Sequence, residues 1–280
     1  MIRKAEDKDI PAIVAFLERH IATSMFLLGN LEAHGLENRT HPCGTAFFLR
    51  ETGDGITGVF GASNGGLLMC QLPGIGHTEA QTYAHLLKGY TLRGMTGAAD
   101  QVATILGALS VPPEAWKSNT VQPLYALSLE SLSDSDAVIR APEEADRAML
   151  QDWFTAYSED NPIAASTTPE ALAEAAITGG RVRLLFDDGA PVAMTAINAR
   201  SDSAVQVGGV FVPRDLRGQG LAGRVVTAHL TELREAGITR AILFAATPDA
   251  ARAYEKIGFA RAGDYRVALL AEAHMLGDPA

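Results

Sequence analysis

Cysteine is scarce in this sequence. Its 280 residues include two cysteines, Cys43 and Cys70, which stand in unrelated contexts. Two isolated cysteines provide neither the disulfide framework of a small secreted domain nor the C-x-x-C spacing of a structural zinc site. We therefore expect a reducing, cytoplasmic environment and no bound metal ion.

Long apolar runs are absent as well. No run approaches the ~18 consecutive apolar residues that a membrane helix requires. The opening stretch "MIRKAEDKD" is charged, whereas a secretory signal needs an apolar core near its start. The sequence thus predicts a protein with no membrane partner and no secretory signal in this stretch.

Basic residues are too few to balance the acidic ones. The 23 Lys and Arg residues face 33 Asp and Glu residues, and the formal net charge is -10. A non-specific nucleic-acid binder needs a basic surface, so we expect no nucleic-acid partner. The acidity is compatible with a cationic substrate such as an amine, although ordinary solubility is the simpler explanation.

The composition supports folded cores, and the pattern along the chain repeats. Apolar residues make up 47% of the sequence and charged residues 20%, and the length fits two ordinary domains. Two segments read I-R-x-x-E-x-x-D, one starting at Ile2 and the other at Ile139. Each is followed by an amphipathic helical pattern, "IPAIVAFLERH" in the first case and "RAMLQDWFTAY" in the second.

The likeness between the two halves continues downstream. The runs "AFFLRETGDGITGVFGA" and "RVRLLFDDGAPVAMTAINA" both predict a β-hairpin with an acidic, Gly-containing turn. The equivalent third strands are "GLLMCQL" and "AVQVGGVFV", and a helical stretch follows each. We predict a tandem repeat of one α/β unit. The polar stretch "SLESLSDSDA" has a linker composition and sets the boundary at residues 131–136, between domains at 1–130 and 137–280.

One glycine-rich stretch, "RGQGLAG" at residues 217–223, contains the G-x-G-x-x-G spacing of dinucleotide-binding folds. Its context argues against that assignment. The preceding strand follows a complete hairpin, five residues separate Val212 from Gly218, and residues 239–247 contain no acid to bind a ribose. A dinucleotide oxidoreductase is therefore a weak alternative.

The same stretch is a sensible anion site. Gly218 and Gly220 allow a tight turn that exposes backbone N–H groups, and a helical pattern begins directly afterwards. A helix N-terminus carries positive partial charge, and Arg217 adds a full one. A diphosphate is the natural ligand, and the alternative is a glycine turn that only starts a helix.

The longer segment "VFVPRDLRGQGLAGRVV" closely resembles the acyl-CoA-binding motif of the GNAT superfamily of N-acetyltransferases. The family core R-x-x-G-x-A is matched by Arg217, Gly218, Gln219, Gly220, Leu221 and Ala222. Downstream, "TPDAARAYEKIGF" resembles the second family motif, with matches at Ala250, Tyr254, Lys256, Gly258 and Phe259. The resemblance covers roughly residues 138–270.

This resemblance implies an α/β fold with a mixed, α+β sheet. Each of two tandem GNAT-like domains would have a mostly antiparallel twisted sheet flanked by helices. The N-terminal half is similar to a degenerate copy, because its "PGIGHTEA" has no Arg before the glycines. We expect that half not to bind the cofactor in the usual way, and either to shape the substrate side or to stabilise the molecule.

The resemblance also implies the reaction: direct attack of a primary amine, small or on a protein, on acetyl-CoA. The pantetheine arm would run along Val210, Phe211 and Val212, next to a bulge at Gly208 and Gly209. Thr247 stands where the family often has an Asn that helps hold this arm. Followed by Pro248, it is also a helix N-cap signal.

Tyr254 is the catalytic candidate, because a phenol keeps its proton at neutral pH and can donate it to a departing thiolate. Packing against the sheet is the alternative role. Glu159 and Asp160 could line the amine site or form a solvated helix end, and His229 is given no role. The competing function is a non-catalytic acyl-CoA-binding regulatory module.

Overall fold

The computed structural model describes residues 1–160, 167–245 and 247–277. The chain divides into two compact units. Unit 1 comprises Met1–Leu124 and Ala262–Ala280, and unit 2 comprises Tyr125–Arg261. Within the part of the chain that the structure describes, no helix is both long enough and apolar enough to cross a membrane.

Unit 1 begins with a short strand, two helices and a β-meander. Its elements in chain order are β1 (Ile2–Lys4), α1 (Ile10–Arg19), α2 (Ile21–His34), β2 (Thr45–Thr52), β3 (Gly55–Ser63), β4 (Leu67–Gln71), α3 (His77–Leu86), β5 (Thr91–Ala98) and α4 (Ala99–Leu106). The strands lie in the order β1-β2-β3-β4-β5. Successive pairs are antiparallel except β4–β5, which is parallel.

Unit 2 repeats this plan. Its elements are β7 (Ile139–Arg140), α5 (Arg147–Asp160), α6 (Pro169–Gly179), β8 (Val182–Asp187), β9 (Ala190–Arg200), β10 (Ala204–Phe211), α7 (Leu221–Glu235), β11 (Arg240–Phe244) and α8 (Pro248–Glu255). The strand order is β7-β8-β9-β10-β11, and β10–β11 is the parallel pair. The predicted fold class and tandem repeat are confirmed.

The shared I-R-x-x-E-x-x-D sequence ties the first strand of each unit to its first helix. In unit 1, the Arg3 guanidinium donates to both carboxylate oxygens of Asp9, at 2.6 and 2.9 Å. The backbone N–H of Glu6 donates to the same carboxylate at 2.9 Å. The same three bonds recur in unit 2, at 2.7, 3.0 and 2.7 Å, between Arg140, Asp146 and Glu143.

Two long strands complete the sheets: β6 (Trp116–Ser128) and β12 (Ala260–Met275). The end of β6, from Tyr125 onward, belongs to unit 2, where β6 neighbours β11. Most of β12 belongs to unit 1, where it pairs antiparallel with β5. The chain therefore changes unit inside two strands, whereas the division at 1–130 and 137–280 follows the polar composition of residues 131–136. Within that polar stretch Leu132 is buried in the core of unit 2.

Both faces of the unit 2 sheet are covered by helices. Val225 and Leu230 of α7 pack with Val205 and Val207 of β10 in one apolar cluster. On the other face, α5 and α6 pack against Leu184 and the rest of a second cluster. In each helix, apolar residues three or four positions apart form one buried face. The packing of these faces against the sheet determines where the ends of α5, α7 and α8 lie relative to the strands.

Candidate active site

The segment over which β10 pairs with β11 is short. It runs in parallel from Ala204↔Arg240 to Val207↔Leu243, although β10 continues to Phe211. Immediately afterwards β10 carries a register shift against β9 between Gly208 and Phe211. Gly209 has φ 55°, a left-handed conformation that favours glycine. The predicted bulge is therefore present, and it begins where the two parallel strands stop pairing.

A cavity of about 1020 Å³ lies at this point of unit 2. It is lined by residues 208–212, which form the end of β10 and the position after it, and by residues of the loop at 217–220, which we call the glycine loop. Residues of α7, of α8 and of the end of α5 complete the lining. The volume is at the upper end of the range for ligand and cofactor sites, about 300–1,000 Å³.

The glycine loop ends in a helix start that has no side-chain cap. Gly218 and Gly220 have φ values of 80° and 78°, and a Cβ placed on either would meet nothing within 4 Å. Gly220 is the N-cap of α7 and makes no side-chain cap hydrogen bond. The N–H groups of the first turn therefore lack a partner from the cap. Both Gly218 and Gly220 line the cavity.

The cavity has more basic than acidic side chains, although the chain as a whole is acidic. Asp160 and Asp249 line it together with four basic residues, namely Arg217, Arg224, Arg252 and Lys256. The sequence motif directed attention to Arg217 as the cation of this site. Arg224 lies at the end of the first turn of α7, where a basic side chain next to a helix N-terminus was a readable signal for an anion site. Arg252 lies in the last turn of α8.

Arg217 is held in place by three contacts. Its Nη2 donates to Asp160 at 2.6 Å, and its Nε donates to the carbonyl oxygen of Val212 at 3.0 Å. Its guanidinium also lies 5.9 Å from the centre of the Phe211 ring. Hydrogen bonds from Arg217 and Arg214 lower the pKa of Asp160, so this carboxylate stays charged.

Glu159 and Asp160, the predicted amine-binding pair, are engaged by the same loop. Arg214 contacts Glu159 at 3.3 Å and Asp160 at 3.0 Å. Asp160 lines the cavity, whereas Glu159 is 61% exposed and lies outside its lining. The structure thus places both acids against arginines at the glycine loop, and their role toward a substrate remains a prediction.

Tyr254 is buried at the cavity wall. Its side chain is 8% exposed, it lines the cavity, and its ring meets Phe259 edge-on with centroids 6.1 Å apart. Burial raises the pKa of the Tyr254 phenol above its ordinary value, and the nearby Tyr157 raises it further. The phenol therefore stays protonated at neutral pH.

Tyr157 of α5 is a site residue that the sequence did not reveal. It lines the same cavity, and the backbone N–H of Gly209 at the β10 bulge donates to its hydroxyl. Burial raises its pKa as well. Tyr157 follows the buried Phe154 at helical spacing, which is the pattern of an ordinary core position. The signal that was available is a polar hydroxyl within that apolar stripe.

Thr247 performs the predicted helix-capping role. Its Oγ1 accepts a hydrogen bond from the N–H of Ala250 at 3.2 Å, and Pro248 occupies the first position of α8. Thr247 also lines the cavity. Because its oxygen accepts the capping bond, its hydroxyl hydrogen can still be donated to another group.

The other predicted cofactor residues divide into those that line the cavity and one that does not. All but one line the cavity, namely Val210, Phe211, Val212, Leu221 and Ala222 with the loop residues described above. Gln219 is exposed and lies outside the lining. His229 is buried in α7 and is also outside it, and burial lowers its pKa to about 4.

The sequence of this region matches a known family. Residues 147–259 match the acetyltransferase (GNAT) family model. We call residues 147–259 the GNAT segment, after the family whose model they match. The GNAT segment contains the glycine loop, the bulged strand β10 and Tyr254, and it lies within unit 2. Here the glycine loop follows a strand of a mixed sheet that pairs antiparallel with β9, unlike the opening strand of a dinucleotide-binding fold.

One curated relative supports this assignment over a short stretch. An acetyltransferase of Agrobacterium fabrum is 39% identical over 54 residues, which represent 19% of this chain and 39% of that protein. The chain therefore spans about two fifths of the length of the curated relative that it matches.

Solved structures share the fold over nearly the whole chain. A GCN5-related N-acetyltransferase from Sphaerobacter thermophilus has a TM-score of 0.51 at 15% identity and covers 96% of this chain and 94% of its own. A GNAT acetyltransferase from Colwellia psychrerythraea has a TM-score of 0.50 at 15% identity, with coverage of 97% and 100%. A Drosophila protein reaches 0.61 at 13% identity, with coverage of 96% and 98%. At such identities the likeness concerns the fold.

Proposed function

We propose that the GNAT segment is an acyl-CoA-dependent N-acetyltransferase that transfers acetyl from acetyl-CoA to a primary amine by direct attack. One observation carries the proposal. A single cavity joins the uncapped, glycine-flanked start of α7 to the buried, protonated phenol of Tyr254, across the place where β10 and β11 stop pairing. One ligand can therefore place its phosphates at the start of α7 and accept a proton from Tyr254.

The residues at the helix end of the cavity fit the phosphates of CoA. The open space at Gly218 and Gly220 lets a ligand reach the backbone N–H groups, and the helix N-terminus favours an anion. Arg224, Arg252 and Lys256 also line the cavity, where Arg224 pairs with Asp187 and Arg252 with Asp249. This set of donors fits a polyanionic ligand better than it fits an uncharged one.

The strand end of the cavity fits the pantetheine arm. β10 has no registered partner on β11 beyond Val207 in the described part of the strand pair, so backbone groups of residues 208–212 are open to amide groups of the arm. Thr247 can donate its hydroxyl hydrogen there while its oxygen caps α8. The carbonyl of Val212 already accepts from Arg217, so we assign the arm to Val210 and the N–H side of this segment.

Acetyl-CoA would supply a thioester whose carbonyl carbon is open to attack by the nitrogen of a neutral amine. As the C–N bond forms and the C–S bond breaks, the nitrogen gives up one proton to solvent. Tyr254 holds a proton on Oη at neutral pH, donates it to the departing thiolate and regains one from solvent. Tyr157 Oη is held by the N–H of Gly209 and orients the bulged backbone of β10 beside it. A backbone N–H of this bulged strand is the candidate donor to the carbonyl oxygen.

The acceptor is proposed as an amine of a small molecule or of a protein, in keeping with the acidic chain. We further propose that the reaction takes place in the cytoplasm, without nucleic-acid or membrane partners and without a metal in the chemical step.

The test combines binding with turnover. Calorimetry should detect CoA binding to the wild type and not to Gly220→Asp, because a carboxylate then stands where phosphate belongs. Gly237→Asp is the matched control, because Gly237 also has a positive φ of 92° and open space around its Cβ position but lies at the other end of α7. Thiol release from acetyl-CoA with a panel of amines and peptide amines should then identify the acceptor.

Each outcome separates the alternatives. Unchanged CoA affinity in Gly220→Asp, or tighter binding of NAD than of CoA, would overturn the phosphate assignment. CoA binding without thiol release across the panel would favour an acyl-CoA-binding regulatory module.

A further inference from the structure

Unit 1 contains a cluster of metal-ligating side chains far along the chain from the GNAT segment. His34 is the last residue of α2, and His41 and Cys43 follow in the segment that leads to β2. Each residue offers one ligand atom, and the three atoms all lie within 4.8 Å of one another. Cys43 and His41 are exposed and His34 is half-buried, so an ion can reach them from solvent.

The two imidazoles lie face to face. Their ring centroids are 4.0 Å apart and the rings are tilted by 22°. Nδ1 of His41 accepts a hydrogen bond from the N–H of Cys43 at 3.1 Å, so this nitrogen carries a lone pair. A nitrogen with a lone pair is the one that binds a metal, and solvent can take over the exposed amide of Cys43.

The backbone around the ligands is fixed by its own hydrogen bonds. The side-chain oxygen of Asn38 accepts from the N–H of His41 at 2.9 Å. The side-chain amide of Asn64, from the turn after β3, donates to the carbonyls of Asn38 and His41 at 2.9 and 2.8 Å. A Cβ on Gly44 would lie 2.0 Å from the carbonyl oxygen of Asn38, so the loop requires glycine there.

The two residues between His41 and Gly44 are tied down in the same way. The carbonyl of Pro42 accepts from the N–H of Gly65 at 2.7 Å, and that of Cys43 accepts from the Thr45 hydroxyl at 2.8 Å. The loop is thus held without the imidazole of His34 or the thiol of Cys43. The half-buried imidazole of His34 and the exposed thiol of Cys43 nevertheless converge with His41.

We propose that His34, His41 and Cys43 bind one divalent transition-metal ion of the zinc type, with water in the fourth position. Ligand atoms of a tetrahedral ion at about 2.0–2.3 Å lie roughly 3.3–3.7 Å apart. Separations within 4.8 Å put the three ligand atoms within reach of one ion. Binding requires the two stacked imidazoles to turn about their side-chain bonds until both ring planes contain the ion. Two imidazoles and a thiolate select zinc, cobalt or copper over magnesium or calcium.

The bound ion clamps the C-terminal end of α2 to the loop before β2. The H-x6-H-x-C spacing differs from the C-x-x-C pattern whose absence predicted a protein without metal, which is why the sequence did not indicate it. The site uses no residue of the proposed acetyltransferase chemistry, so each proposal can be tested without the other.

Cobalt titration of the untagged full chain tests the site. We expect a thiolate-to-cobalt charge-transfer absorption that saturates at one equivalent and is abolished by zinc. The other cysteine, Cys70, is buried, and burial raises the pKa of its thiol, so the band must come from Cys43. Cys43→Ser should lose the band, and His34→Gln and His41→Asn should weaken zinc binding at least about tenfold.

His85→Gln is the matched control, since His85 is an exposed histidine of the same unit outside the cluster. It should bind zinc as the wild type does. Melting in EDTA should be the same for all variants, and zinc should raise the melting temperature of the wild type and of His85→Gln alone. No charge-transfer band in the wild type, a band that persists in Cys43→Ser, or wild-type zinc affinity in His34→Gln and His41→Asn would each overturn the proposal.

Discussion

The Tyr254 side chain is largely buried and lines the cavity of unit 2. Burial raises the pKa of its phenol above the ordinary value of about 10, so the hydroxyl keeps its proton at neutral pH. Phenylalanine would fill the same space and keep the edge-on contact with Phe259. A role in packing alone therefore predicts that Tyr254→Phe is neutral, whereas a role as proton donor predicts a loss of rate.

Tyr254→Phe should therefore lower the single-turnover rate on the order of 100-fold while the CoA dissociation constant changes little. The ring and its contact with Phe259 survive, and the proton donor is lost. Rates measured with a verified acceptor, together with calorimetry of CoA, check this expectation. Tyr90→Phe, in unit 1, is the control. A rate within about twofold of wild type would remove Tyr254 as the acid.

Asp160 is the one cavity residue whose charge opposes the proposed ligand at the glycine loop. It pairs with Arg217 at 2.6 Å, and Nε of Arg217 is held independently by Val212. Asp160→Asn should leave Arg217 in place and tighten CoA binding by roughly fivefold, because a unit charge near the phosphates is worth about 1 kcal/mol at high dielectric. Calorimetry at low salt would measure the change.

Asp152→Asn makes the same charge change at an exposed site on the same helix and should alter CoA affinity much less. Weaker CoA binding in Asp160→Asn would mean that the carboxylate positions Arg217, and would contradict the electrostatic argument.

At the scale of elements, the clamp between the first strand and the first helix makes unit 1 sensitive to acid. Hydrogen bonds from Arg3, and then from the backbone of Glu6, lower the pKa of Asp9 to about 2. A depressed carboxyl pKa stabilises the fold above the unfolded value of about 3.9, and this stabilisation is lost as pH falls through the folded value.

Asp9→Asn should thus lower the free energy of unfolding at pH 7 by about 1.5–3 kcal/mol, the range for hydrogen bonds to charged groups. The deficit relative to wild type should shrink below about pH 4 and largely vanish near pH 2. Urea unfolding at several pH values measures it, with the exposed Asp7→Asn as control. A deficit that stays constant with pH would mean that the lost charge is not the cause.

Most elements were predictable because their patterns are local. The hairpins, the helix that starts after the glycine loop and the cap at Thr247 each follow from neighbouring residues. The change of unit inside β6 and inside β12 was not predictable, because the partner of a strand depends on residues far away in the sequence. Tyr157 and Arg224 were missed for a similar reason: folding alone brings α5 and the first turn of α7 to the wall of one cavity.

For the whole molecule, the two units share a strand order but differ at the place where a phosphate would bind. In unit 1 the loop from β4 to α3 ends at Gly76, the N-cap of α3, and Glu79 lies in the first turn. Residues 71–87 contain no Lys or Arg. Arg50 approaches this helix start, but it pairs with Glu79 at 3.1 Å and donates to the carbonyl of Pro73 at 2.7 Å. An anion there would meet an acid and a cation already engaged.

The chain should consequently bind one CoA, and only through unit 2. Gly76→Asp and Gly220→Asp place the same carboxylate at equivalent helix starts, and neither glycine has an atom within 4 Å of its Cβ position. Gly76→Asp should keep the wild-type CoA affinity and a stoichiometry of one, because aspartate is a good N-cap and no phosphate competes with it. Gly220→Asp should bind none. Calorimetric titration measures both quantities at once, and thermal melting verifies that each variant is folded. A stoichiometry of two in the wild type, or a loss of CoA binding in Gly76→Asp, would place a cofactor site in unit 1 and contradict the division of roles between the two units.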